Sequence, residues 1–411
     1  MIPAVSVAAF EGGELLAAAW GTEPDALFQA ASISKPVAAF AVLRLVAKGH
    51  LSLDADVNSV LRRWRLKASG SWTPSVTLRH LLSHSGAVTV HGFPGYEYGK
   101  KVPTLLQILD GTPPANNEPI RVIGMPGLMN TYSGGGYTVL QLVLEDTTQM
   151  SFADLIRELV IEPIGMTDSS FEQPLSSSRR KRAVRGYVGG RQIIGGWHNY
   201  PELAAAGMWC TASDLVRFAG AVQDSLHRRP GALLPAKLAE LMTQPVLPGT
   251  ALGFGIYGVG RERQFGHTGG NAGYSSELAA MVNLPKSAAV LVNANDSYFV
   301  HHILAVIRRI LEWPTPNPGE PTLGNDQFVA ELQTLVGRRL RVARRGQELE
   351  IEVHGQPPLR LFLESDRKAT TDDPPVSATL EYDLEGRLGA IALRQQATEV
   401  IAVRAPDNPY I

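Results

Sequence analysis

The chain has 411 residues, a formal net charge of −1 at pH 7 and a single cysteine, Cys210. One cysteine excludes an internal disulfide, and a charge this close to zero gives no reason to expect nucleic acid or an anionic membrane as a partner. No apolar run is long enough to cross a bilayer. Because this length exceeds what one hydrophobic core usually serves, we expect a large domain and a smaller one.

The first residues read as structure rather than as a targeting signal. Residues 1–10 predict a strand, Glu11-Gly12-Gly13 a turn, and residues 15–20 a second strand. The N-terminus lacks the basic start of a signal peptide. We therefore expect a cytoplasmic protein as the sequence stands, or a periplasmic or secreted one if a leader has been removed.

The next stretch places a serine and a lysine one helical turn apart. Apolar residues recur at steps of three and four from Val37 to Ala47, which predicts a buried helix that ends at Lys48-Gly49. Ser32 and Lys35 then lie on one face, within reach of each other. A serine hydroxyl becomes a good nucleophile when a nearby base takes its proton, and an amine held in an apolar wall can be that base.

The Ser-x-x-Lys spacing alone is a weak signal, because a chain of this length contains one by chance. Two more occur at residues 178–181 and 365–368, in polar, charge-dense stretches with no apolar helix behind them. We interpret both as solvated loops. The buried helix is what distinguishes Ser32.

Two histidines follow on a short helix that is predicted to begin after a threonine cap at Thr77 and to end at Gly86. His80 and His84 are four residues apart, a spacing that can hold a metal ion. No third ligand accompanies them at a useful spacing. We therefore interpret both as structural hydrogen-bonding groups, and we expect neither a metal nor a cofactor.

A tyrosine then stands in a glycine-rich turn. Tyr132-Ser133 and three glycines precede an apolar helix that is predicted from Thr138 to Thr147. A tyrosine hydroxyl beside a lysine ammonium can carry a proton. Upstream, residues 89–126 are rich in Gly and Pro and include His91. That composition fits a binding loop and plain loop packing equally.

The rest of the large domain changes from helical to strand periodicity. Helices are predicted at residues 152–160 and 213–222, strands at 253–259, 264–267, 276–283 and 288–293, and a closing helix at 299–313. Strands at both ends of the domain predict an antiparallel sheet flanked by helices, which is an α+β fold.

The C-terminal part reads as a separate small domain. Residues 314–324 are proline-rich and predict a linker, and residues 325–411 predict a small all-β, barrel-like unit. At its start Phe328, Leu332 and Leu335 share one helical face, so a short helix is predicted over residues 325–337. The large domain then covers residues 1–313.

A third chemical element, His267-Thr268-Gly269-Gly270, lies on a late strand. With Ser32-x-x-Lys35 and Tyr132-Ser133, it resembles the serine β-lactamase and penicillin-binding-protein superfamily. The likeness is to the class C-like branch, which includes DD-carboxypeptidases, D-aminopeptidases and β-lactamase-like esterases. It covers about residues 1–313 and implies a β-lactamase-like fold with a helical subdomain beside the sheet. The tail is similar to the lipocalin-like β unit that some members append.

The resemblance also implies a role for each site residue. Ser32 would be the acylated nucleophile, Lys35 its proton acceptor and Tyr132 the proton carrier to the leaving group. His267 would steer a substrate carboxylate or hydrogen-bond the tyrosine. The backbone N–H groups of Ser32 and Gly270 would form the oxyanion hole, which stabilises the charge of the transition state. Substrate contacts are expected from His91, Ser133, Gly134, Thr268 and Gly269.

One departure from the family pattern bears on the substrate. The second motif of the family usually ends in an Asn that binds the amide side chain of β-lactams and peptides, and this chain has Gly134 there. An ester asks less of the site, because an alkoxide departs with less help than an amine. We therefore predict a serine hydrolase that acts through a Ser32 acyl-enzyme on carboxylic esters or small amides.

Three alternatives stay open. The first is a D-residue peptidase or penicillin-binding DD-carboxypeptidase, and the second is a class C-type β-lactamase. The third is a catalytically inactive binding or scaffold protein that keeps the fold. In the enzymatic cases the partner is a small-molecule or short-peptide acyl substrate, while the sequence leaves the oligomeric state open.

Overall fold

The structure, a computed structural model, describes most of the chain. The described residues are 2–69, 74–124, 126–127, 130–247, 249–258, 260–314, 327–334, 339–353, 359–372, 375–382, 387–395 and 398–403. The chain divides into two compact units, residues 1–314 and 315–411. The predicted linker lies outside the described residues except for Pro314, and the predicted domain limits stay a prediction.

The first unit mixes strands and helices. Its strands are β1 (Val5–Glu11), β2 (Glu14–Trp20), β3 (Phe28–Gln29), β4 (Lys67–Ala68), β5 (Arg121–Val122), β6 (Tyr187–Val188), β7 (Arg191–Gln192), β8 (Trp209–Cys210), β9 (Gly255–Tyr257), β10 (Gln264–Asn271), β11 (Tyr274–Met281) and β12 (Ser287–Val292). Its α-helices are α1 (Ser34–Ala47), α2 (Leu78–Leu82), α3 (Leu105–Asp110), α4 (Gly134–Thr148), α5 (Phe152–Ile156), α6 (Glu162–Ile164), α7 (Ser177–Arg180), α8 (Leu203–Ala206), α9 (Ala212–Leu226), α10 (Ala236–Thr243) and α11 (Ser297–Ile310). A π-helical stretch, Arg157–Ile161, joins α5 to α6.

The main sheet is antiparallel and is completed by both ends of the first unit. Its strand order among the described residues is β2-β1-β12-β11-β10-β9, and Val5 of β1 pairs with Val292 of β12. Successive residues face opposite sides of a strand. Met281 accordingly packs in the cluster under α11, whereas Ala280 belongs to the larger core with α1 and α9. The predicted sheet flanked by helices is confirmed.

Helix α1 runs through the middle of the large core. Almost every side chain from Ser34 to Leu45 is buried, so this helix is apolar on all sides rather than along one stripe. A 3₁₀ turn, Ala31–Ile33, precedes it, so Ser32 lies just before the α-helix rather than inside it. Within the described part of the chain, none of the helices has the length and apolar character needed to span a bilayer.

The second unit is a closed β-barrel. Its described strands are β13 (Gln327–Thr334), β14 (Arg339–Arg345), β15 (Glu348–Val353), β16 (Leu359–Ser365), β17 (Lys368–Asp372), β18 (Pro375–Tyr382), β19 (Leu388–Gln395) and β20 (Thr398–Val403). Each strand pairs antiparallel with the next, and β13 also pairs with β20, which closes the sheet. The predicted barrel-like unit is confirmed.

The helix predicted over residues 325–337 is wrong, because residues 327–334 form strand β13. Phe328 and Leu332 are four residues apart, and a step of four fits one face of a strand as well as one face of a helix. Pairing with β14 decides between the two: Leu332 lies opposite Leu340, and both are buried in the barrel core. Residues 325–326 and 335–337 lie outside the described residues.

Candidate active site

Ser32 and Lys35 are in contact at the start of α1. Lys35 Nζ lies 3.0 Å from Ser32 Oγ and donates a second hydrogen bond, of 2.8 Å, to the carbonyl oxygen of Ala205 in α8. The lysine is 2% exposed, while Ser32 is partly accessible from the surface. The amine is therefore held beside a reachable hydroxyl, as activation of a serine nucleophile requires.

Tertiary contacts fix the turn that carries Ser32. Ala31 has a φ of +51°, in the left-handed region that costs a non-glycine residue of order 1–3 kcal/mol at sites of this kind. Ser34 Oγ donates to Ala31 O over 2.6 Å and accepts a hydrogen bond of 3.0 Å from Met208 N. The surrounding structure thus holds a strained turn immediately before the serine.

Tyr132 covers the lysine. Lys35 Nζ is 4.9 Å from the centroid of the Tyr132 ring and 5.8 Å from that of Tyr137. His84 packs against Tyr132 with ring centroids 4.2 Å apart, and His91 does so at 4.9 Å. The predicted serine, lysine and tyrosine therefore lie in one cluster. Tyr137, which the sequence analysis did not single out, completes the aromatic wall.

The glycines after Tyr132 allow a loop to pack against the start of α4. Gly134 N donates to His91 O over 3.0 Å, and Gly135 N donates to Val90 O over 2.9 Å. A Cβ added to Gly134 would lie 3.0 Å from Phe93 Cε2 and 3.2 Å from His91 O. The region around Gly134 is therefore already filled by this loop.

Ser133 is the N-cap of α4 rather than an open side chain. Its Oγ accepts a hydrogen bond of 2.8 Å from Gly136 N and donates one of 2.8 Å to Thr89 O. Both Ser133 and Gly134 are buried, whereas His91 is exposed beside Tyr132. The predicted substrate contacts of these three residues stay predictions, and the structure leaves the His91 side chain as the accessible one.

His267 lies within β10 and faces Tyr132, with ring centroids 6.1 Å apart. The surrounding protein and then the positive charge of Lys35 lower the pKa of His267 to about 3, although its side chain stays partly accessible. Its Nδ1 is 2.6 Å from the carbonyl oxygen of Thr268, so Nδ1 carries the proton of the neutral ring. A neutral imidazole offers a hydrogen bond but not an ion pair.

Strand β10 lies close against the Ser32 turn because Gly269 has no side chain. A Cβ there would collide with the Ala30 carbonyl oxygen and with Ser276 Oγ, which itself donates to Ala30 O over 2.9 Å. Thr268 and Gly270 are exposed on the same strand. The predicted oxyanion hole of Ser32 and Gly270 stays a prediction, and Gly269 provides the close approach that it requires.

The two histidines of the α2 region are hydrogen-bonded as predicted. His80 Nδ1 accepts a bond of 3.2 Å from Thr77 N, and His84 Nδ1 accepts one of 3.1 Å from Ser133 N. Burial first, and the charge of Lys35 second, lower the pKa of His84 well below its ordinary value. In the described part of the chain no cluster of three or more His, Cys, Asp or Glu residues could hold a metal ion.

No sequence motif marks the segment whose backbone carbonyl accepts a hydrogen bond from Lys35. Ala205 contributes only its carbonyl group, and a backbone contact has no residue-type signal. Glu202, three residues earlier, is fully buried, and burial raises the pKa of its carboxyl to about 8. The nearby Tyr96 side chain lowers that pKa, in opposition to burial. Among the described residues, neither carboxyl oxygen of Glu202 makes a hydrogen bond of good geometry. Glu202 is therefore predominantly protonated at neutral pH.

Replacing Glu202 by Gln is expected to change how stability depends on pH. Because the folded-state pKa lies above the unfolded value, the acid favours the folded state fully below about pH 4.5, and this contribution is lost as the pH rises to about 8. Each pKa unit corresponds to about 1.4 kcal/mol. The Tm of Glu202→Gln relative to that of the wild type should rise between pH 5 and pH 8.5. A Tm difference that stays constant over this range would contradict a buried, protonated Glu202.

A serine just before a buried helix, beside a lysine in the first turn of that helix and next to an antiparallel sheet, is the arrangement of the β-lactamase-like serine hydrolases. A family model described as Beta-lactamase matches residues 1–309. The chain therefore belongs to the beta-lactamase family, and the resemblance inferred from the three motifs is confirmed.

Individual relatives support the same family. Esterase EstB of Burkholderia gladioli is 36% identical over 155 residues, which cover 36% of this chain and 39% of that protein. Penicillin-binding protein 4* of Bacillus subtilis (strain 168) is 25% identical over 420 residues, covering 92% and 88%. The octameric penicillin-binding protein homologue from Pyrococcus abyssi has the same fold, with a TM-score of 0.62 at 20% identity over 97% and 96% of the two chains.

Proposed function

We propose that this hydrolase cleaves carboxylic esters or small amides through an acyl-enzyme on Ser32. The observation that supports it most strongly is the 3.0 Å contact between Lys35 Nζ and Ser32 Oγ in a buried setting. Lys35 Nζ takes the hydroxyl proton as Ser32 Oγ attacks the carbonyl carbon of the substrate. Tyr132, packed over the lysine, passes that proton to the leaving oxygen or nitrogen as its bond to carbon breaks.

Deacylation completes the cycle. A water molecule gives a proton to the Tyr132–Lys35 pair and adds to the acyl carbon. The bond from that carbon to Ser32 Oγ then breaks, and the serine takes the proton back. The N–H groups of Ser32 and Gly270 would stabilise the oxyanion in both steps, and such donors are each worth about 3–4 kcal/mol.

The surroundings of Gly134 support simple esters and small amides over peptides. A Cβ at that glycine would lie 3.0 Å from Phe93 and 3.2 Å from the His91 carbonyl oxygen, so the position is crowded and offers no side chain that could bind a substrate amide. The alternative of a D-residue peptidase or penicillin-binding enzyme draws support from the relationship to penicillin-binding protein 4*, which extends over most of the chain. A β-lactamase of class C type is the third candidate.

Covalent labelling tests the nucleophile. A fluorophosphonate probe should add its mass to the intact protein, and the modified peptide should contain Ser32. Ser32→Ala should remain unlabelled. Ser178→Ala is the matched control, because it removes the serine of a second Ser-x-x-Lys on the exposed helix α7, and it should label like the wild type. If the wild-type protein stays unlabelled on long incubation, the proposed acyl-enzyme is wrong and the scaffold alternative remains.

The substrate class needs a separate comparison of kcat/KM. We expect p-nitrophenyl esters to be the best substrates in a panel that also contains D-amino-acid anilides and nitrocefin. A higher kcat/KM on the anilides would favour the peptidase alternative, and a higher value on nitrocefin would favour the β-lactamase.

A further inference from the structure

A cavity of about 160 Å³ lies beside the Tyr132 end of the candidate active site. Tyr132 and His267 line both the cavity and the site, whereas Ser32 and Lys35 do not line the cavity. Its other walls include His84, Asn130, Thr250 and Thr268. In liquid water one molecule occupies about 30 Å³, so this space suits a group of about five heavy atoms.

The two histidines differ in the nitrogen that each leaves without a hydrogen bond. His84 Nδ1 accepts the Ser133 N–H, which leaves the ring proton on Nε2. That Nε2 is buried and makes no hydrogen bond among the described residues. His84 is 6% exposed and is one of the residues that line the cavity. His267 keeps its proton on Nδ1, toward Thr268 O, so its Nε2 is an acceptor. The His84 N–H is enclosed by protein, so the imidazole group that a ligand in the cavity can meet is the His267 acceptor.

The cavity contains no formal charge. Among the described residues that line it, none is Lys, Arg, Asp or Glu. The nearby cation, Lys35, points its amine at Ser32 and Ala205 instead. Burial and the charge of Lys35 lower the pKa of both His84 and His267, which keeps the two rings neutral at pH 7. A carboxylate buried here would have hydrogen bonds but no counter-ion, and an unpaired buried charge is costly.

We propose that this cavity is the leaving-group subsite, and that it accepts a small uncharged alcohol or amine and disfavours a leaving group that carries a carboxylate. The inference rests on the proposed function, because the leaving group must lie beside the residue that protonates it. In acylation the Ser32 Oγ–carbon bond forms and the bond from carbon to the leaving oxygen breaks. The leaving oxygen takes from Tyr132 the proton that Ser32 lost.

A matched pair of esters tests the charge preference. The butyrate ester of glycolamide and the butyrate ester of glycolate have the same acyl group and leaving groups of equal size, and they differ in charge. After correction for the uncatalysed rates, kcat/KM for the glycolamide ester should exceed that for the glycolate ester by about 100-fold. Equal values, or a preference for the glycolate ester, would overturn the proposal.

Two variants of one position test the cause of the preference. Thr250 is buried at the cavity wall and accepts a hydrogen bond from Asn130, which both substitutions remove. Thr250→Lys adds a cation, and Thr250→Met adds a side chain of similar length without charge. The preference for the glycolamide ester is the ratio of its kcat/KM to that of the glycolate ester. This ratio should be at least 10-fold smaller in Thr250→Lys than in Thr250→Met. The same ratio in both variants would count against the subsite.

Ser32 labelling separates failure of this inference from failure of the proposed function. If Ser32 is not labelled and neither ester is cleaved, the proposed function fails and the subsite with it. If Ser32 is labelled and both esters are cleaved equally well, the acyl-enzyme stands and the leaving-group assignment is wrong. A labelled Ser32 without turnover of the glycolamide ester also contradicts the assignment.

Discussion

Lys35→Met is expected to lower kcat/KM on ester substrates by about 10³-fold, within the range that general acid–base groups contribute. Methionine has nearly the length of lysine but no basic nitrogen, so Ser32 Oγ loses the atom that lies 3.0 Å away and can take its proton. The fold should survive, because the lysine is fully buried and an apolar side chain suits that position. Steady-state kinetics with thermal unfolding of the same samples would measure both effects.

The control for this variant lies on the same helix. Arg44→Met removes another half-buried cation of α1, one that donates to Leu159 O far from Ser32, and it should keep nearly full activity. A second readout is the titration of His267, whose pKa should rise in Lys35→Met because the lysine charge helps to lower it. If Lys35→Met kept more than a tenth of the wild-type activity, another group would have to be the base.

Gly135→Ala is expected to destabilise the fold by about 2–3 kcal/mol, the upper range for overpacking a core. Its Cβ would lie 2.5 Å from the Thr89 carbonyl oxygen and 3.2 Å from two carbons of Ile120. The carbonyl cannot move freely, because Thr89 O accepts the Ser133 hydroxyl and Thr89 N donates to Arg121 O. Since this loop packs against the helix start that follows Tyr132, activity should fall as well.

Gly136→Ala is the matched control, one residue further along the same helix. Its Cβ would make only ordinary contacts, the nearest of them 3.5 Å away, and alanine favours a helix over glycine by up to about 1 kcal/mol. We expect this variant to be as stable as the wild type or more stable. Urea unfolding of both variants and the wild type would measure these differences in the free energy of unfolding. Similar stability losses in the two, or none in either, would mean that the loop does not pack tightly against Gly135.

The sequence by itself predicted the residues that meet in the candidate site. Ser32 and Lys35 are three residues apart next to a buried helix, so local geometry alone brings them together. Tyr132 and His267 could be added because their motifs, in the same chain order, are those of a family whose fold brings them together. The sheet closed by both chain ends and the final barrel followed from the change in apolar periodicity.

The tertiary structure alone decided what surrounds those residues. The Ala205 carbonyl, the buried Glu202 and the Phe93 ring near Gly134 all come from segments remote in sequence from the groups they affect, and none has a motif. The wrongly predicted helix over residues 325–337 has the same cause, because pairing with β14 and β20 determined strand β13. Short-range spacing is encoded locally, whereas burial, charge state and strand pairing depend on which distant segments pack together.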